Sequence, residues 1–376
     1  MALRPFPGAF MSTVQWTENG TVRTARWHSE NGTPPPGRIV VVDDRLTAAA
    51  ALRFARAGTG MLWRGDFPNA RQLVRAMDRR LPQRSGTFAE VRAARSERAA
   101  LLGKILVSVE ADHSLQLRRA PDIRAACEHA FGGLPGTLIS LRELLGALSA
   151  YQWHQNGIPI KALGARLYPA YSVFAPTRSE YLDLVAQEPL PGNGSPVVFD
   201  LGTGTGVLAA ILARRGAAEV VATDLNPLAV RCARDNLRRL GLSDRVQVRE
   251  TDLWPSDRRA DLVVCNPPWL PGNPSSALEL GIYDPSSAML NRFLDGLPGH
   301  LTPHGEGWLI LSDLAEHLGL RTRAELLDRI AAAGLTVAGR RETTPRHRRA
   351  TDRADPLHAQ RSRERTILWR LALSRA

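Results

Sequence analysis

The sequence predicts a doubly wound α/β fold: a mostly parallel, seven-stranded sheet in the C-terminal part, preceded by a mixed α/β domain. Three observations carry this. Val197 to Gly216 reads as buried strand, glycine turn and apolar helix in immediate succession. From residue 197 onward strand and helix patterns alternate, which marks crossover-connected parallel strands. Acids and an asparagine stand at the ends of successive strands, where open α/β sheets bind ligands.

The 376 residues suit two domains, or three, and 44% apolar content supports a full core. No apolar run reaches the roughly 18 residues of a membrane span. The N-terminal stretch lacks a charged segment followed by an apolar one, so a cytoplasmic protein without a signal peptide is expected. Cys127, Cys232 and Cys265 lie far apart and form no metal or disulfide pattern; buried thiols are expected, and no metal. The formal charge is +12, and only Lys104 and Lys161 among the cations are lysine. That balance suits a polyanion such as RNA, or equally an arginine-rich solvated surface.

In chain order, residues 1–38 read as a poorly structured segment ending in a linker, because three consecutive prolines at 34–36 exclude helix. A domain at 39–165, assigned to substrate recognition, then opens with strand 39–44, helix 45–57, strand 60–65 and helix 70–81. Residues 88–102 read as an arginine-rich helix. Residues 104–110 and 114–118 read as a strand pair, and 121–131 as helix. Helix 140–156 is expected to start on a capping box of Ser140 and Glu143. Residues 157–178 are loop and strand material, and the domain boundary falls between 157 and 195.

The C-terminal domain, 166–376, holds helix 179–186 and then the strands 197–200, 216–224, 246–252, 260–269, 305–313, 336–342 and 365–373. Helices at 207–216, 227–240, 286–301 and 321–334 separate the earlier ones. The polar, basic segment 343–364 reads as a hairpin loop. Its arginines, with Arg340 and Arg341, suit phosphates or solvent equally.

The glycines Gly202, Gly204 and Gly206 are spaced G-x-G-x-G, not the G-x-G-x-x-G of a pyrophosphate site. Without Cβ atoms they let a ligand approach the backbone beside a helix N-terminus. Asp200 closes the first strand beside Thr203 and can orient the loop or meet a cationic ligand centre. Asp224 ends the second strand, placed to accept from a ribose diol. Asp252 ends the third, placed to accept from an adenine amine, with Leu225 and Leu253 as walls for the ring.

The fourth strand ends in Asn266-Pro267-Pro268-Trp269. The two prolines lack N–H groups and fix φ, so they hold a stiff bend. The Asn266 side-chain oxygen and the Pro267 carbonyl then converge on one –NH₂, and Trp269 offers a flat stacking face. A base amine or carboxamide nitrogen is a poor nucleophile, since its lone pair is delocalised. Accepting both N–H hydrogens favours a pyramidal nitrogen and aims the lone pair, so catalysis is by positioning and directed dipoles. A nicotinamide-dependent oxidoreductase is a remote alternative: it needs the other glycine spacing and leaves the tetrapeptide unexplained.

DLGTGTG, ATDLNP, ETDLW and NPPW, in this order, resemble the class I S-adenosylmethionine-dependent methyltransferases that modify planar nitrogens. The resemblance covers roughly residues 170–375. It implies a Rossmann-like sheet, S-adenosylmethionine as cofactor, and cofactor binding by Gly202, Gly204, Gly206, Asp224 and Asp252. Tyr283-Asp284-Pro285 with Ala288 is similar to the Y-E-P-x-x-A-L of release-factor glutamine N5-methyltransferases, with Asp284 and Met289 replacing Glu and Leu. The β-α-β-α run at 39–81 is similar to the plan of ribosomal RNA guanine N2-methyltransferases. The resemblance implies RNA or a ribosomal particle as first acceptor and protein glutamine as second. It also implies that the segment before the first strand lines the entrance, so Phe174, Pro176 and Arg178 are substrate candidates, with Tyr283 of the downstream motif beside them.

Overall fold

The computed structural model describes residues 12–192, 195–255, 258–276, 278–346 and 348–374. The chain divides into two compact units, Met1–Gln152 and Trp153–Ala376. That division precedes the expected boundary.

The first unit holds strands β1 (Thr13–Glu18), β2 (Thr21–Trp27), β3 (Ile39–Val42), β4 (Gly60–Trp63), β5 (Ile105–Val109) and β6 (Thr137–Ser140). Its helices are α1 (Ala48–Arg56), α2 (Phe67–Arg80), α3 (Phe88–Leu102), α4 (Arg124–Phe131) and α5 (Leu141–Asn156). The sheet order is β1-β2-β6-β5-β4-β3. Side chains of its central strands alternate between two cores. Met61, Trp63, Ile105 and Val107 face the helices, whereas Leu62, Leu106 and Leu138 face Val14, Trp16 and Trp27.

Three sequence expectations fail here. Residues 13–27 are not poorly structured; they form a hairpin closed by Asn19 and Gly20, both at positive φ (50° and 75°), the primed turn that matches strand twist. Residues 1–11 of that expected segment lie outside the described residues. Residues 114–118 do not pair with β5, whose neighbours are β4 and the unforeseen β6. Ser140 ends β6, and the Glu143 carboxylate accepts from the Glu30 N–H (2.7 Å) and pairs with His28 (3.1 Å) instead of completing a capping box.

The second unit opens with the short pair β7 (Ile158–Ile160) and β8 (Ala165–Leu167) and helix α6 (Glu180–Gln187). There follow β9 (Val197–Leu201), α7 (Val207–Arg214), β10 (Glu219–Asp224), α8 (Pro227–Arg239), β11 (Val246–Glu250) and β12 (Ala260–Cys265). Next come β13 (Leu270–Pro271), β14 (Tyr283–Asp284), α9 (Ala288–His300), β15 (Leu301–Ser312), α10 (Leu314–His317), α11 (Arg323–Ala332), β16 (Leu335–Thr343) and β17 (Thr366–Leu373). The seven-stranded sheet has the order β11-β10-β9-β12-β15-β17-β16. Six strands run in one direction and β17 runs antiparallel to both of its neighbours.

The doubly wound expectation is borne out. Val198, Val220, Val264 and Trp308 pack with α6, α7 and α8 on one face. Phe199, Val221, Val263 and Leu309 pack with α9 and α11 on the other. With both faces covered, the central strands read as continuous apolar runs. The segment expected as a hairpin loop does join the antiparallel β16 and β17, and includes helical turns at Arg348–Thr351 and His358–Arg361.

Candidate active site

The strand order reverses at β9: the chain winds outward through β10 and β11, then returns to β12 on the other side. Ligands bind beyond the carboxyl ends at such a switch point. In register, Leu201 lies between Thr223 of β10 and Cys265 of β12. The next residues of the three strands, Gly202, Asp224 and Asn266, therefore leave the sheet side by side.

Each turn glycine has positive φ (71°, 56° and 82°) and a separate task. At Gly206 a Cβ would press on Ala233 Cα at 3.3 Å, so this glycine lets α8 approach the turn. At Gly202 it would meet Met289 Cε at 2.9 Å. At Gly204 it would meet nothing within 4 Å, so this residue faces open space. The Gly204 N–H donates to Asp224 Oδ2 (2.9 Å), and the Asn226 N–H donates to Asp224 Oδ1 (2.9 Å). Burial raises the Asp224 pKa against these two donors.

Asp200 is 1% exposed, and both of its protein donors reach one oxygen: Thr203 Oγ1 at 2.7 Å and the Ala209 N–H at 3.0 Å, onto Oδ2. These bonds tie the carboxylate to the turn, which suits the loop-orienting role expected for it. Asp252 reaches outward to Arg292 (2.9 Å), with both side chains about half exposed, a screened pair that a ligand can exchange. Leu225 is 55% exposed and free to form one wall of a ring site. Leu253 is not its counterpart. It takes φ 62°, buries its side chain with Phe199 and Val221, and its carbonyl accepts from Thr223 Oγ1 at 2.6 Å.

The tetrapeptide departs from expectation at its side chains. The Trp269 indole N–H donates to Asn266 Oδ1 at 2.8 Å. An indole N–H is only a donor, so the amide oxygen faces the ring and keeps one lone pair for another partner. One face of Trp269 is covered by Arg178, whose Cζ lies 4.4 Å from the ring centroid. Arg178 is thus not an open substrate contact. It donates to Glu180 (2.6 Å) and Glu364 (3.0 Å), both 1% exposed.

Behind the tetrapeptide the chain folds back, with Leu270 and Pro271 pairing in parallel with Tyr283 and Asp284. Tyr283 is 9% exposed, and Asp284 accepts from the Met289 and Leu290 N–H groups (2.9 and 3.1 Å), pinning the start of α9 over Gly202. Burial raises the Asp284 pKa. Phe174 lies half exposed on Gly281, where a Cβ would come within 2.9 Å of it. Pro176 is buried and lines a separate cleft with Trp153, Ile158 and Leu182. Of the basic segment, Arg340 lies over Trp369, Arg341 pairs with Glu188 and Arg346 with Asp183. His347 lies outside the described residues.

Sequence reasoning missed Arg292, Glu180 and Glu364, and saw Met289 only as a motif position, not as the side chain over Gly202. Glu180 stands two residues from Arg178 and offered a weak local signal. Glu364 lies 186 residues away and offered none. Among the described residues there is no group of three metal-ligating side chains, and no helix is long and apolar enough to cross a membrane. The three cysteines are buried.

Residues 181–267 match the family model described as Ribosomal protein L11 methyltransferase (PrmA). A release factor glutamine methyltransferase of Cereibacter sphaeroides is 36% identical over 121 residues, 29% of this chain and 44% of that one. A ribosomal protein L11 methyltransferase of Pelotomaculum thermopropionicum is 51% identical over 175 residues, 40% of this chain and 55% of that one. A release factor glutamine methyltransferase of Bordetella pertussis is 35% identical over 134 residues, 32% of this chain and 49% of that one. The chain spans about half the length of these relatives. The motif resemblance to methyltransferases is borne out by these matches.

Proposed function

We propose that this protein is an S-adenosylmethionine-dependent methyltransferase acting on a planar nitrogen, with a protein side-chain amide as acceptor. The observation that carries the reading is the register of β9, β10 and β12, which brings a glycine turn, a strand-end carboxylate and Asn266 to one edge. The residues suit the cofactor. Gly204 faces open space, Asp224 offers acceptors for a ribose diol and Leu225 an apolar wall; Asp252 is reachable from solvent. The cofactor supplies an electrophilic methyl group. The chain's own residues hold the acceptor: the free lone pair of Asn266 Oδ1 takes one N–H, and the stiff Pro267-Pro268 bend keeps that oxygen in place.

The relatives' names support protein over RNA, since they speak of a ribosomal protein and of a release factor's glutamine. The test is transfer of tritiated methyl from S-adenosylmethionine into lysate from a strain lacking this protein, followed by protease or nuclease digestion. Label released by protease supports the proposal; label released only by nuclease replaces the acceptor with RNA. Absence of S-adenosylmethionine binding by calorimetry overturns the whole reading. Asn266→Ala should bind cofactor normally and lose turnover by about 100-fold or more, as for a removed oxyanion-hole donor.

A further inference from the structure

The tetrapeptide is braced from one side by a side chain to which no catalytic chemistry falls. We propose that Arg178 is a positioning residue for the acceptor site: its guanidinium fixes the Trp269 ring, and the ring fixes the Asn266 amide. The proposal rests on the methyltransferase reading for its kinetic consequence, not for its geometry.

Arg178 is itself held on two edges. Its Nε donates to Glu180 Oε1 at 2.6 Å, and one terminal nitrogen donates to Glu364 Oε1 at 3.0 Å and Thr366 Oγ1 at 3.4 Å. Ser312 Oγ also donates to Glu364 Oε1, at 2.6 Å, and accepts from the Leu314 N–H at 3.0 Å. The guanidinium plane is therefore tied to the start of α6, the end of β15 and the start of β17. Its side chain is only 16% exposed, and those of its two carboxylate partners are 1% and 0% exposed. A fork held on two edges keeps one orientation, and its Cζ sits over the Trp269 ring, 4.4 Å from the centroid.

The next link is the 2.8 Å bond from the Trp269 indole to Asn266 Oδ1. It decides which end of the amide is presented. With the ring held, the oxygen stays near the indole and its second lone pair is available to an acceptor N–H. With the ring released, the amide can turn its –NH₂ toward that N–H, donor against donor. A lysine at 178 keeps the charge and loses the plane, so charge alone does not supply this function. Arg178 acts through another residue, and its loss should lower the rate without weakening cofactor binding.

The experiment uses the full chain with ¹⁵N-labelled tryptophan. The Trp269 indole resonance is assigned by its disappearance in Trp269→Phe. In Arg178→Lys that resonance should move, kcat should fall about tenfold or more, and S-adenosylmethionine affinity should stay within about twofold. Arg178→Met alone leaves two buried carboxylates uncompensated. The triple variant Arg178→Met, Glu180→Gln, Glu364→Gln removes those charges together and should show the same shifted resonance. An unmoved resonance in a folded Arg178→Lys or triple variant overturns the bracing. So does a shifted resonance with unchanged kcat. If the wild-type protein transfers no methyl to any acceptor, the functional reading fails, and the resonance alone decides the bracing.

Discussion

Asp200→Asn tests a charge buried inside the glycine turn. The carboxylate is 1% exposed, and burial is the main cause that raises its pKa from 3.8 to about 6, opposed by Thr203 and Ala209 and assisted by the nearby Asp224 charge. At about 1.4 kcal/mol per pH unit, that displacement costs the ionised native state roughly 3 kcal/mol. The native state keeps this proton where the unfolded chain has released it. The stabilising contribution is therefore present below about pH 4 and lost as pH rises through about 6. Between pH 4.5 and 7.5 roughly 2 kcal/mol of it disappears from wild type and none from the Asn variant. Asn can keep both existing bonds, because Thr203 and Ala209 donate to a single oxygen. Urea unfolding followed by circular dichroism at several pH values gives the difference between the two proteins. The variant should gain on wild type as pH rises. Parallel stability curves, or a variant that loses ground toward pH 7.5, would refute the argument that desolvation dominates at this site.

Other substitutions probe the same edge. Gly204→Ala meets open space but takes φ 56°, so thermal unfolding should register a loss of only about 1 kcal/mol. Calorimetry of that variant should show S-adenosylmethionine binding weakened, because the added methyl fills the face left open; unchanged affinity would separate Gly204 from the cofactor. Asp224→Ala removes the acceptor for the Gly204 and Asn226 N–H groups and should abolish cofactor binding in the same titration. Ser286 and Ser287 both stand at φ 53°, so replacing either by Gly should stabilise the chain, by about 1 kcal/mol in denaturant unfolding; no gain would mean the turn is unstrained.

The second unit was readable because its chemistry is local. Asp200 through Leu212 lie within one strand, one turn and one helix, and the fold follows from their order. Asp224 and Asn266 were readable as strand ends before their register was known. What failed depended on distant partners. Glu143 stands where a capping box needs it, yet His28 and the Glu30 N–H compete for its carboxylate. Leu253 follows its aspartate as an adenine wall would, but its positive φ turns it into the core. The hairpin at 13–27 is a different case: Asn19-Gly20 between alternating Val14, Trp16 and their partners was a visible signal, outweighed in the reading by the prolines after it.

The position of β17 has a consequence for how the protein is made. It lies between β15 and β16, and β16 has no other neighbour in the sheet. A nascent chain extruded as far as Thr343 therefore has a strand with no partner strand to pair with. The same late stretch delivers Glu364 and Thr366, on which Arg178 rests. A ribosome-bound chain that has not yet exposed residues 364–373 should lack the contacts that hold Arg178 over Trp269, however long its glycine turn has been folded.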